Sequence, residues 1–410
     1  MANAPMPAFG LLGGLRVVFC GISVAAPFAA ELYAEQGADV IWIENPAVVD
    51  SGRVSRRGGS WQQDRRNMRS LSMNYRKGAG REAFLKLLST ADVFIEASVG
   101  GSFKNAGLDD DTLWQVNPRL VIAHISGFGQ TGAPEYTSRA SFDPIAQAFG
   151  CVMRMNGIDG QPSVPAMPFP GDYTAAFYAF GMSLAALLRR EKTGRGESID
   201  LAQFELLLRI QANYPTDYLR FGLDYTKEGT HSRICAGYGT YGCMDGEELY
   251  ILFLGAGSVE RGLKVIGLEY GGADYPAGSS LVPVDSPAGD ALERALRDFL
   301  SKHTAEEAEK AFCAARVPCS RLMDYEQARG NPQYIARQVF TEWKAADGVT
   351  DIPGVNVMPR LKNSPGRIWR GAPSVGMDNA DILSELGYGA EEIEKMYAAG
   401  LLSSLPYFEP

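Results

Sequence analysis

The sequence predicts an α/β protein: a Rossmann-like, doubly wound large domain with a smaller α+β domain behind it. Three observations predict it. Through roughly the first two hundred residues, short apolar runs alternate with helix-period segments, the βαβ pattern of a parallel sheet. The runs are nearly continuous in apolar residues, as strands covered by helices on both faces should be. Near residue 225 the character changes to Gly- and Tyr-rich sequence with turn signals, which marks a second unit.

In order, residues 15–20 (LRVVFC) read as a strand, 25–36 as a helix closed by Gly37, and 39–44 (DVIWIE) as the next strand. Residues 70–73 follow as a strand, 80–90 as a helix, and 93–96 and 120–125 as strands. Pro- and Gly-rich sequence at 156–171 interrupts the pattern and reads as a loop over a site. A long helix is expected over 173–190, its small apolar residues suited to close packing, then a turn at 193–196 and a strand at 197–200. Residues 237–257 read as turns and short strands, and 288–303 and 305–315 as helices. From residue 331 on, Pro353, Pro359, Pro365 and Pro373 predict an extended stretch before a helical pair at 379–386 and 390–399. The domains expected are therefore a large one over 1–221, a small one over 222–331, and a return segment over 332–410 whose helices pack on the large domain.

Composition narrows the function. The chain has 410 residues, 39 basic and 48 acidic, for a net charge of −9. An acidic chain without a basic block argues against nucleic acid and anionic membrane. No apolar run reaches membrane-spanning length. Residues 1–12 lack the charged start and apolar core of a secretory leader, so a cytoplasmic location is expected. Six cysteines are scattered at positions 20, 151, 235, 243, 313 and 319 without a CxxC pair, so no metal site or disulfide framework is expected.

Nicotinamide and flavin chemistry lose their usual support, because the turn after the first strand (GISVAAP, 21–27) has one glycine rather than GxGxxG. No Walker A loop and no GxSxG elbow occur. Only three histidines exist, His124, His231 and His303, and each reads as structural or exposed. Carboxylates remain. Asp172 follows PFPG and opens a strong helix, where an N-cap is its commonest role. The same place favours an ionised carboxylate through the helix dipole, so a nucleophilic role stays open beside the cap. Arg65, Arg66, Arg69, Arg76, Lys77 and Arg81, with Asn74 among them, and Lys104 could hold phosphates; each alone reads as solvated surface.

Several segments together resemble the family III CoA-transferases, the superfamily of formyl-CoA transferase. They are GIxxAxPFAxxxxAExGAxVIWIEN (21–45), NPRLVIAHISGFGQTG (117–132), SFDPIAQAF (141–149), the Gly171–Asp172 step and REKTGRGESIDLA (190–202). FIEAS (94–98), NSPGRIWRG (363–371) and PSVGMD (373–378) are more similar to the L-carnitine CoA-transferase branch.

The resemblance implies an interlocked homodimer acting on an acyl-CoA and a small carboxylic acid, with CoA as co-substrate and no permanently bound cofactor. It implies that Asp172 attacks the thioester to form a mixed anhydride, passes through an aspartyl-CoA thioester, and is released through a second anhydride by the incoming acid. It places CoA against the loop beginning at Ser98. There the carnitine-type lysine and arginine positions are Val99 and Ala106 here; Lys104, Arg69 and Arg76 are the candidates to compensate, with Asn74 adding a neutral hydrogen bond. Phe142, Asp143 and Tyr173 are the substrate-side candidates, with aromatic faces suited to a trimethylammonium acid such as carnitine or a betaine. Two other readings stand beside it. An acyl-CoA racemase would need a histidine before Asp143, where Phe142 stands. A non-catalytic acyl-CoA-binding protein would have no use for Asp172.

Overall fold

The chain divides into two compact units, one of Met1–Met153, Pro165–Leu219 and Ala336–Pro410, the other of Arg154–Val164 and Arg220–Ile335. The structure, a computed structural model, describes residues 6–54 and 60–406, the side chains at 54 and 60 excepted. The outer ends of the expected 1–221 and 332–410 segments, and the start of the stretch read for a leader, lie outside the described residues.

The first unit is built on six parallel strands: β1 (Arg16–Cys20), β2 (Asp39–Glu44), β3 (Arg69–Ser72), β4 (Val93–Ala97), β5 (Val121–Ser126) and β6 (Ser198–Ala202). Their order is β3-β2-β1-β4-β5-β6. The chain winds outward from β1 in one direction, then crosses back and winds outward from β4 in the other. Between the carboxyl ends of β1 and β4 it opens the crevice where doubly wound sheets take their ligands.

Helices cover both faces, as the continuous apolar strands require. On one face Ala25–Ala34 and Pro170–Thr193 pack through Ala29, Ala30, Ala175, Ala176 and Ala179, all fully buried; side chains this small let helix and sheet approach closely. On the other, Gly78–Leu88 and Asp110–Val116 are joined by Asn379–Glu385 and Ala390–Ala398, which bring Phe84, Leu87, Leu383 and Met396 into one apolar cluster.

β3 is an edge strand, and unpaired edges invite aggregation. The return segment covers it. Backbone N–H groups of Ser70 and Ser72 donate to the side chains of Asp378 (2.8 Å) and Asn379 (2.9 Å). The stretch expected to be extended is partly structured. It contains a short helix, Pro332–Ala336, and an antiparallel hairpin of Phe340–Lys344 with Asp351–Val355. Pro353 is tolerated because a two-stranded ladder leaves each strand one open side.

Arg65 and Arg66 are not solvated surface. Both are about fully buried, Arg65 on Asp50 (3.1 Å) and Arg66 on Glu31 (3.3 Å) and Glu35. Arg53 and Arg65 also lie over the Trp42 ring, at 4.4 and 4.8 Å. Charges this deep persist because each has a partner.

The second unit carries an antiparallel sheet, Tyr238–Gly242, Glu248–Leu252 and Cys319–Arg321, backed by Pro287–Leu300 and Ala305–Ala314. Its core gathers Phe253, Leu263, Leu296 and Phe312. Among the described residues, no helix is long and apolar enough to cross a membrane.

Candidate functional site

Strand order sets where chemistry can happen, and the crevice at the carboxyl ends of β1, β4 and β5 is open. It is a cleft of about 250 Å3, lined by Ile22–Ala25 after β1, Ala97–Val99 at β4, and Ile125–Gly127 at β5. Arg139–Phe142, Asp172 and Gln203 complete it. The turn after β1 is strained: Ser23 has φ 64°, a region non-glycine residues seldom adopt. Its carbonyl accepts from buried Arg65 (2.9 Å), which fixes the turn from behind.

Asp172 is not the helix cap. The cap is Phe169, Pro170 takes the first helical position, and Asp172 stands third in the first turn. Proline suits that start because the N–H it lacks would have no intrahelical acceptor. One oxygen, Oδ1, accepts from Gln203 Nε2 at 2.5 Å. Gln203 follows directly on β6 and is itself buried. Among the described residues no donor reaches the other oxygen, Oδ2. Burial pushes the Asp172 carboxyl up to about 6; the Asp143 carboxylate adds to the rise and the Gln203 bond opposes it. Desolvation is the largest cause, and the net shift is opposite to the one a helix dipole would give.

Asp143 supports the site from beneath. It is buried, in the first turn of Asp143–Phe149, and accepts from Gln147 Nε2 (2.7 Å) and from the backbone N–H of Gly171 (3.1 Å). Gln147 is pinned in turn by both backbone groups of Ala166 (2.8 and 2.9 Å). A Cβ on Gly171 would stand 3.1 Å from Leu207 and 3.3 Å from Asp143 Oδ2, so the residue before Asp172 has little room to grow. Burial raises the Asp143 pKa, against the hydrogen bonds that lower it.

Of the residues anticipated from sequence, Asp172, Ser98, Val99 and Phe142 come together on the cleft. The others do not line it. Asp143 lies under the helix start rather than open to a ligand. Tyr173 turns to the edge of the Phe28 ring, at 4.8 Å. Asn74 and Arg76 follow the carboxyl end of β3, with Arg76 exposed over Tyr75. Lys104 faces a neighbouring hollow with Asp110 and His124. Ala106 packs against the core and its carbonyl accepts from Arg81 (2.7 Å). Arg69 stands at the amino end of β3, at the other side of the sheet, bound to Asp39 and Glu385 (both 2.6 Å). A cation consumed by two carboxylates that far from the crevice is a structural lock.

Sequence reading missed Arg139, Gln203 and the Ile22–Ala25 turn. Arg139 lies over the Phe128 and Tyr136 rings at 4.9 and 5.3 Å and is a cation lining the cleft. Gln203 carried no local signal, because its neighbour in space is 31 residues away in sequence.

Known proteins place this arrangement. The CoA-transferase family III model matches residues 12–379. The fold is similar to that of a CaiB/BaiF family protein from Brucella suis, 25% identical with a TM-score of 0.79 over 92% of this chain and 100% of that one. It is also similar to Rv3272 from Mycobacterium tuberculosis, 22% identical with a TM-score of 0.75 over 92% of this chain and 99% of that one. With the match spanning both units and the transferase chemistry of that family, this chain belongs to CoA-transferase family III.

Proposed function

We propose that the protein moves CoA from an acyl-CoA donor to a small carboxylic acid, with Asp172 as the covalent relay. The observation that carries the reading is the half-satisfied carboxylate: one oxygen oriented by Gln203, the other without a donor among the described residues, on the ligand crevice of the sheet. Oδ2 would attack the thioester carbonyl, the C–S bond would break, and CoA would leave as thiolate with a mixed anhydride formed on Asp172. Thiolate attack on the aspartyl carbonyl would then expel the donor acid and leave an aspartyl-CoA thioester. The acceptor carboxylate would reverse the sequence through a second anhydride. Each step exchanges groups of similar leaving ability, so positioning supplies most of the rate. N–H groups at the start of Ala25–Ala34 border the same cleft and are candidates to steady the oxyanion.

Arg139 is the cation we assign to the CoA phosphates, in place of the charges that Val99 and Ala106 lack. The acceptor favoured is a carnitine- or betaine-like acid, with exposed Phe142 offering an aromatic face to a trimethylammonium group. Exposed Phe177, Met182 and Leu188 along Pro170–Thr193 support a homodimer in which a second copy covers them. Phe142 in the place of a racemase histidine counts against proton exchange at the α-carbon.

The test is transfer of CoA from an acyl-CoA to labelled acceptor acids, with Asp172→Ala compared. Loss of roughly 10^4-fold in kcat is expected on removing a covalent nucleophile. Solvent-proton exchange at the α-carbon without transfer would overturn the reading.

A further inference from the structure

His124, near the end of β5, is almost fully buried and holds two carboxylates at once. Nδ1 is 2.7 Å from Glu96 Oε1, and Nε2 is 2.9 Å from Asp110 Oδ1. A neutral imidazole has one N–H and could satisfy only one of them. The imidazolium has two and satisfies both. Glu96 is a carboxylate at 1% exposure, where a charge is kept only beside a partner.

Glu96 does more than balance charge. The Ser98 hydroxyl donates to its second oxygen, and Gln130 Nε2 reaches Oε1 at 3.4 Å. The carbonyl oxygen of the same Gln130 side chain accepts from the backbone N–H of Gly101 at 2.9 Å. One carboxylate therefore ties the loop after β4, residues 98–101, to the end of β5 and the loop after it, residues 126–130. Ser98, Val99, Ser126 and Gly127 from those loops are two walls of the Asp172 cleft.

We infer that His124, as an imidazolium clamped between Glu96 and Asp110, is a positioning residue that fixes the 98–101 wall of the cleft through Glu96 and Ser98. The inference rests on the CoA-transfer reading for its effect on kinetics. The acyl-CoA donor is the substrate affected, because the 98–101 loop is the wall assigned to CoA. The charged groups around the pair are consistent with a retained proton. Asp110 faces His124 from the helix Asp110–Val116, while Lys104, Asp109, Asp111 and Asp200 border the adjacent hollow, more acidic than basic. Hydrogen bonds and charge from Asp110 and Glu96 outweigh desolvation and carry the His124 pKa up to about 9.

The test uses His124→Gln in the full chain, read by amide hydrogen exchange and by steady-state kinetics. Exchange at residues 99–101 is expected to quicken about tenfold as the loop loses its anchor. KM for the acyl-CoA donor should rise about tenfold with kcat and the acceptor KM nearly unchanged. In wild type the donor KM should rise above about pH 9, where His124 loses its proton, and this limb should vanish in His124→Gln. Glu96→Gln added to His124→Gln should restore much of the loss, since a neutral pair needs no cation. If the single variant fails to fold, Ser98→Ala cuts the direct tie to Glu96 with the ion pair and the Gln130 bridge intact, and should still quicken exchange at 99–101, by less than His124→Gln. Unchanged exchange in both variants overturns the inference, whether or not Asp172→Ala abolishes transfer. Quickened exchange in a protein whose wild type moves no CoA keeps the anchor and sinks the proposed function instead.

Discussion

Two sites at opposite ends of the central sheet treat charge in opposite ways. At the amino end, Arg16, Asp39, Arg69 and Glu385 close a ring of ion pairs at 2.6–3.0 Å. It ties β1, β2 and β3 to the helix Asn379–Glu385. At the carboxyl end, Asp172 is desolvated beside another carboxylate and, among the described residues, receives a single side-chain donor. The first arrangement gains stability from charge. The second gives stability up, and under the proposed function what it gains is a carboxylate oxygen left free to attack a thioester. Folding alone has no reason to build the second arrangement.

That contrast can be broken most sharply at Asp172. Above its ordinary value, the raised pKa means ionisation costs more in the fold than in the unfolded chain. The penalty grows between pH 3.8 and about 6 and is complete above that. Asp172→Asn should therefore stabilise the protein by about 1–3 kcal/mol at pH 8 and not at all below pH ~4, while activity is lost. Thermal unfolding at the two pH values decides it; a destabilised variant at pH 8 would mean that the carboxylate is structural.

A smaller effect is expected at Gln203. Its hydrogen bond lowers the Asp172 pKa, so Gln203→Ala should move the acid limb of kcat/KM upward from about pH 6 and cost about 10–100-fold at neutral pH. A limb that stays in place would separate Gln203 from the ionisation of Asp172.

The smallest effect on activity is expected at the opposite end. Arg69→Ala should leave transfer within about twofold and reduce stability by about 1–2 kcal/mol, its partners being partly exposed. Denaturant unfolding measures the loss. A selective rise in the KM for CoA would return Arg69 to the ligand site.

Legibility in the sequence followed the range of the interactions. Strands β1, β2, β4 and β5 were read nearly to the residue, because burial on both faces writes a continuous apolar run. The helix at Asp172 was read short by three residues at its start. Pro170 looked like a loop residue, and its fitness for a first turn appears only when the turn exists. Arg65 and Arg66 looked like surface because their partners Asp50, Glu31 and Glu35 are up to 35 positions away, and charge patterning along the chain cannot pair them. The hairpin inside the return segment was hidden by Pro353, which a two-stranded ladder accommodates, and by the prolines that follow it.

By itself, the sequence determined the parallel α/β architecture, the absence of a dinucleotide loop, and Asp172 as the carboxylate to watch. The first two depend on local periodicity or on a few adjacent residues; Asp172, by its own neighbours a helix cap, was singled out by the family resemblance carried along the whole chain. Only the tertiary structure decided that Asp172 stands third in its turn rather than at the cap, and that Gln203 and Arg139 share its cleft. It likewise put Arg69 on the far end of the sheet, bound into an ion-pair ring. Those outcomes depend on strand order, which brings distant residues to one edge and separates near ones. Strand order is set by which helix faces can be buried together, a property of the assembled core and not of any segment.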